Sequence, residues 1–148
     1  MVMYKILLAT DGSDYSLQSL QKIIPMAKAM YADITILSIA EEMPFLRGTE
    51  GMSQEELEAL LSTINREAEL GLERAAELFE AEGLGVETRL RAGKPAETIC
   101  KEAEEGGFDL VVLGDTGRGG LRELFLGSVS NKVAHQAKTD VMIVKRKR

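Results

Sequence analysis

Along this chain, short and nearly unbroken apolar runs alternate with longer segments whose apolar residues recur every three or four positions. Residues 4–9 (YKILLA) form such a run, and it stops at Thr10-Asp11-Gly12-Ser13, a cluster of turn formers. A buried strand is predicted there. Ser13 or Asp14 is then placed to cap a helix, and Leu17, Leu20, Ile24, Ala27 and Met30 or Tyr31 form its apolar stripe to about Ala32. Pro25 lies inside that stripe, where it lacks an N–H and clashes with the preceding turn, so a kink or break is expected. Residues 33–39 (DITILSI) are rich in β-branched side chains and predict a second strand.

Residues 41–51 (EEMPFLRGTEG) show no period and contain proline and glycine, a loop of roughly a dozen residues that is long for a compact domain. Ser53 and Glu56 spell the S-x-x-E capping box of a long helix to about Glu82. Its face is predicted from Leu57, Leu60, Leu61, Ile64, Ala68, Leu72, Ala75 and Phe79. Gly83 and Gly85 end it, and residues 86–91 (VETRLR) alternate as a half-exposed strand near a sheet edge does. Pro95 opens a short helix with Ile99, Cys100 and Ala103 inward, closed by Gly106-Gly107. A strand over residues 108–113, a helix over 128–137 that buries Val129, Val133 and Ala137, and a last apolar strand over 140–144 complete the pattern.

Strict β-α alternation with apolar strands implies an α/β fold, a parallel sheet covered by helices on both faces. The absence of an internal repeat or linker, at this length, predicts one domain over residues 1–148. In such sheets ligands lie beyond the carboxyl ends of the strands, where the strand order reverses. The loops after the first and fourth strands, 10–13 and 114–127, are the ones that meet there.

Charge narrows the partners. Lys and Arg total 18 against 24 Asp and Glu, a net charge of −6 that opposes broad binding to nucleic acid or an anionic membrane, so an anion must bind locally. The single cysteine, Cys100, excludes an internal disulfide and a cysteine metal cluster and fits a reducing compartment. The opening MVMYKILLAT is too short for a signal h-region or a membrane span, which predicts a soluble cytoplasmic protein.

The chemistry concentrates in residues 110–130 (LVVLGDTGRGGLRELFLGSVS). An apolar strand runs into Gly114 and Gly117, and nine residues later Gly127-Ser128 opens a helix. Glycines let a backbone approach a ligand, and a helix N-terminus offers N–H groups and partial positive charge, which together make an anion site. Neither G-x-x-x-x-G-K-[ST] nor G-x-G-x-x-G after the first strand is present, which excludes the P-loop and dinucleotide patterns. The spacing G-x-x-G, nine residues, G-S, taken with ATDGS after the first strand and GSVSNKVAHQAKTDVMIVK at the end, resembles the universal stress protein family over essentially the whole chain.

That resemblance implies a five-stranded parallel sheet in the order 3-2-1-4-5, Rossmann-like and similar to the adenine nucleotide α-hydrolases. It also implies an ATP site, with Mg²⁺. Asp11 would hold the ribose hydroxyls or the adenine side, with Ala9 and Thr10 as the adjacent wall and Ile39 and Leu113 flanking the base. Gly114 and Gly117 would let the backbone approach the ribose and phosphates. Gly127, Ser128, Val129 and Ser130 would offer N–H and hydroxyl donors to the phosphates, with Arg118 as a further phosphate partner. Asp115 and Thr116 depart from the small polar and basic or aromatic pair usual in relatives. The Asp115 carboxylate either repels a triphosphate or helps hold Mg²⁺.

Relatives of this kind pair as homodimers through the last strand, here Val141, Met142, Ile143 and Val144, whose edge would otherwise stay open. The implied function is an ATP-binding stress-response regulator that switches contacts with an unidentified protein partner, with hydrolysis slow at most and residues 41–51 as a lid. Two other classes stay open: an enzyme acting at the ATP α-phosphate, and a dimeric interaction module independent of nucleotide. His135, the sole histidine, reads as a surface residue, Cys100 as a small buried one, and the tail from Lys145 to Arg148 as solvated.

Overall fold

The computed structural model describes residues 3–42, 51–115 and 127–145. Its strands are β1 (Lys5–Ala9), β2 (Asp33–Glu41), β3 (Val86–Gly93), β4 (Leu110–Gly114) and β5 (Asp140–Val144). Between them run the helices α1 (Asp14–Gln21), α2 (Ile24–Met30), α3 (Gln54–Glu80), α4 (Pro95–Glu105) and α5 (Ser128–Gln136). The sheet order is β3-β2-β1-β4-β5 with every neighbouring pair parallel, as expected.

Alternation along the central strands feeds two cores. From β1, Ile6 and Leu8 point to one face, where they meet Leu17 and Leu20 of α1, Ile24 and Ala27 of α2, and Leu72, Ala75 and Phe79 of α3. Leu7 and Ala9 point to the other, against Ala96, Ile99 and Ala103 of α4 and Val133 of α5. Both faces are covered, which is why β1 and β4 read as continuous apolar runs. β3 has exposed and half-buried positions only, because it is an edge.

The break expected at Pro25 is present, and two details differ from expectation, the end of β2 and the buried face of α3. The stripe of residues 14–32 is two helices, and Pro25 sits in the first turn of α2, where its missing N–H has no partner to lose. β2 continues to Glu41 because its ladder with β3 extends through Ala40 and Ala92 to Glu41 and Gly93, so Ile39 lies inside the strand and not at its end. The capping box of α3 is formed, with Ser53 Oγ accepting from Glu56 N and Glu56 Oε2 accepting from Ser53 N. Yet only Ala68, Gly71, Leu72, Ala75 and Phe79 of α3 are buried, while Leu57, Leu60, Leu61 and Ile64 are half-buried. A helix of 27 residues is about 40 Å long and outruns the strands beneath it.

Candidate functional site

In the order β3-β2-β1-β4-β5 the connections leave in opposite directions from β1 and β4, which makes the carboxyl ends of these two strands the switch point. Leu8 pairs with Val112, so the residues that follow, Ala9 and Leu113, stand side by side, and the segments after β1 and β4 start from neighbouring strand ends. Ala9 and Leu113 are buried on the α4–α5 face, and Ile39 and Val129 are half-buried against the same cluster.

The β1 side is a rigid turn. Thr10 N donates to Leu37 O at 3.0 Å, and the buried Thr10 Oγ1 shares a hydrogen bond of 2.7 Å with Ser16 Oγ and accepts from Gly12 N at 3.0 Å. Asp11 Oδ1 accepts from Ser13 N at 2.9 Å, an Asx turn that orients the carboxylate, and Ser13 Oγ caps α1 by accepting from Ser16 N. The turn needs a left-handed residue, which Gly12 supplies at φ 78°. Under it lies α3: Arg74 Nη2 donates to Gly12 O at 3.1 Å, and a Cβ at Gly71 would fall 2.8 Å from Gly12 Cα. Sequence reasoning did not single out Gly71 or Arg74. The signal was a glycine inside a strong helical pattern, which calls for a packing reason.

The β4 side ends at the N-terminus of α5. Gly127 is the N-cap, at φ −62° and ψ 158°, and supplies no side-chain cap. Its N–H donates to Asp115 O at 2.7 Å, and Asp115 N donates to Val144 O at 3.1 Å, so the Asp115 main chain joins the start of α5 to the end of β5. The first bond of the α5 ladder is Asn131 N to Gly127 O, which leaves the N–H groups of Ser128, Val129 and Ser130 ahead of it. Ser128 is exposed and Ser130 is buried. Ser130 Oγ donates to Gly114 O at 2.6 Å; its one hydroxyl proton is thus committed to the chain, and what Ser130 can offer an anion is its N–H.

Gly117, Arg118 and Thr116 lie outside the described residues, as do most of residues 41–51 and the last three of the tail. His135 is exposed in the last turn of α5, with Nδ1 2.8 Å from Asn131 O. Cys100 is half-buried, and burial pushes its thiol above the ordinary value. Among the described residues no three His, Cys, Asp or Glu side chains group as metal ligands, and no helix is long and apolar enough to cross a membrane.

A parallel sheet whose order reverses at β1 and β4, with an Asx turn after β1 and a glycine N-cap on the helix after β4, is the architecture of the doubly wound α/β proteins. The chain belongs to the universal stress protein family, whose model matches residues 3–145. It is 34% identical over 145 residues to the universal stress protein YxiE of Bacillus subtilis, an alignment covering 95% of this chain and 98% of that one. It is 30% identical over 158 residues to universal stress protein MJ0577 of Methanocaldococcus jannaschii, covering 99% and 98%. The solved structure of MJ0577 superimposes with a TM-score of 0.75 at 28% identity, over 99% of both chains. A universal stress protein in complex with cAMP superimposes with a TM-score of 0.66 at 26% identity, over 99% of this chain and 100% of the other.

Proposed function

We propose that this universal stress protein binds an adenine nucleotide, ATP with Mg²⁺, across the switch point, and that it works as a nucleotide-dependent homodimeric switch in the stress response. The observation that carries the reading is that two unlike groups follow adjacent strands, the Asp11 carboxylate after β1 and, bonded to Asp115 after β4, the glycine-capped N-terminus of α5. The first suits a ribose and the second a phosphate chain. The cAMP complex of the relative supports adenine as the base.

The residues present fit the nucleotide. Gly127 has an extended backbone that any residue adopts, so conformation does not demand glycine there; in this reading its missing side chain leaves room for a phosphate. Ala9, Leu113 and Ile39 offer apolar contact to a base, and Ser128 adds a hydroxyl. Mg²⁺ is commonly held by one or two carboxylates together with substrate phosphates, and the Asp115 carboxylate stands at the right strand end for that role. Bound Mg²⁺ would supply charge neutralisation on the phosphates.

Hydrolysis should be slow. His135 sits roughly 10 Å along the helix axis from Ser128, and burial raises the Cys100 thiol and so disfavours the thiolate, which argues against either as a base at the phosphates. The two sheet edges support a dimer through one of them. β3 carries Glu87, Arg89 and Arg91, charges that discourage edge pairing, whereas β5 presents Val141, Met142, Ile143 and Val144.

A thermal-shift titration with ATP and Mg²⁺ tests the reading. A nucleotide at a hundred times its dissociation constant stabilises by about 2.7 kcal/mol, a rise of about 8 °C for a chain of this size. Gly127→Val keeps a conformation valine adopts and should abolish the rise. An equal rise in the variant rules out this site, and no rise in the wild type leaves the interaction module.

A further inference from the structure

We infer that α3, through Gly71 and Arg74, sets the shape of the loop that carries Asp11, and that Arg74 is a positioning residue for the adenosine half of the site. The inference rests on the nucleotide reading above. A carboxylate that must accept from two neighbouring hydroxyls has to be held to within about 0.5 Å of the productive place. Asp11 stands on a tight turn, tied by Ser13 N at 2.9 Å and Gly12 N at 3.0 Å to side chains of the turn itself. Thr10 N, bonded to Leu37 O, and the Ser13 cap attach the ends of the turn to β2 and α1; its middle, at Gly12, needs a second attachment.

α3 makes that second attachment. Gly12 O accepts from Arg74 Nη2 at 3.1 Å across 62 residues of sequence, and the backbones of Gly12 and Gly71 touch so closely that a Cβ on either would come within 2.9 Å of the other's Cα. Gly71 and Arg74 are three residues apart on one helix and so share a face. The glycine lets the loop reach the helix, and the guanidinium holds it there. Without the guanidinium the loop carries its ordering cost into the binding step, and affinity falls.

Calorimetric titration of the wild type, Arg74→Ala and Arg74→Lys with adenosine and with ATP and Mg²⁺ tests this, alongside amide exchange of Gly12 and Ser13 without nucleotide. Arg74 is exposed, so the variants should fold. Arg74→Ala should weaken adenosine and ATP by the same factor, roughly tenfold, and speed exchange of the two amides comparably. Arg74→Lys, which keeps the charge but not the fork, should recover only part. A loss confined to ATP, or full recovery in Arg74→Lys, would mean that Arg74 acts by charge alone and would overturn the inference, as would unchanged affinity and exchange. If the wild type binds neither probe, the nucleotide reading fails by itself, and the amide exchange still decides whether Arg74 shapes the loop.

Discussion

Replacing Gly71 by alanine puts two opposed effects on one atom. In the interior of a helix, alanine is favoured over glycine by about 1 kcal/mol, so an α3 standing alone would gain stability. Here the new Cβ would lie 2.8 Å from Gly12 Cα and 3.5 Å from Gly12 N, against backbone that cannot turn aside as a side chain can. Relief to an ordinary carbon contact needs a shift of roughly 1 Å, and overpacking of this kind costs about 1–3 kcal/mol. The same shift stretches the Arg74 bond to Gly12 O, 3.1 Å at rest, and loses about 1 kcal/mol more. The net is a destabilisation of about 1–3 kcal/mol, or a fall in Tm of about 3–9 °C. Urea denaturation followed by circular dichroism should show a lower midpoint with an unchanged slope, the mark of altered stability with the same surface exposed. A variant more stable than the wild type by the full helix-propensity gain would refute the contact between α3 and the Asp11 loop, and with it the structural basis for Arg74.

Ser130→Ala removes the donor to Gly114 O and regains some helix propensity, so a net loss of about 1 kcal/mol is expected in the same urea assay. Cys100 has a folded pKa raised above its unfolded one by burial, so its contribution is complete below the ordinary thiol value and is lost as pH rises through the folded value. Wild type should therefore lose stability relative to Cys100→Ala only on the alkaline side, and iodoacetamide should modify the native thiol more slowly than a free one at neutral pH. Sedimentation equilibrium should give twice the monomer mass at micromolar concentration, and a monomer would remove the pairing assigned to Val141, Met142, Ile143 and Val144.

What could be read from the sequence was what is local. The run from Leu110 to Leu113, the S-x-x-E box at Ser53 and the alternation of residues 86–91 each carry their own cause, and the alternation of strands with helices sets the sheet. Pro25 marked a break but not its place, because proline is as comfortable two residues into a new helix as it is disruptive inside an old one. Periodicity extended the apolar face of α3 back to Leu57, since a stripe does not reveal how long the sheet beneath it is. The attachment of the Asp11 turn to α3 was illegible for a related reason. Gly12 and Arg74 meet only through the fold, and Gly71 alone in a helix looks like a cost until its neighbour is known. The β4 side of the site was the more legible, because strand, glycines and helix start follow one another within residues 110–130, though the commitment of the Ser130 hydroxyl to Gly114 O depends on how α5 lies on β4.

An adenine nucleotide bridging the ends of β1 and β4 would touch backbone amides on both strands' loops. The most direct measurement is a nuclear magnetic resonance titration of the nitrogen-15-labelled chain with ATP and Mg²⁺, following each backbone amide. Shifts should concentrate on residues 10–13 and on Gly114, Asp115, Gly127, Ser128, Val129 and Ser130, with both groups moving at one dissociation constant. Shifts confined to one side of the crevice, or gathered elsewhere on the molecule, would contradict it.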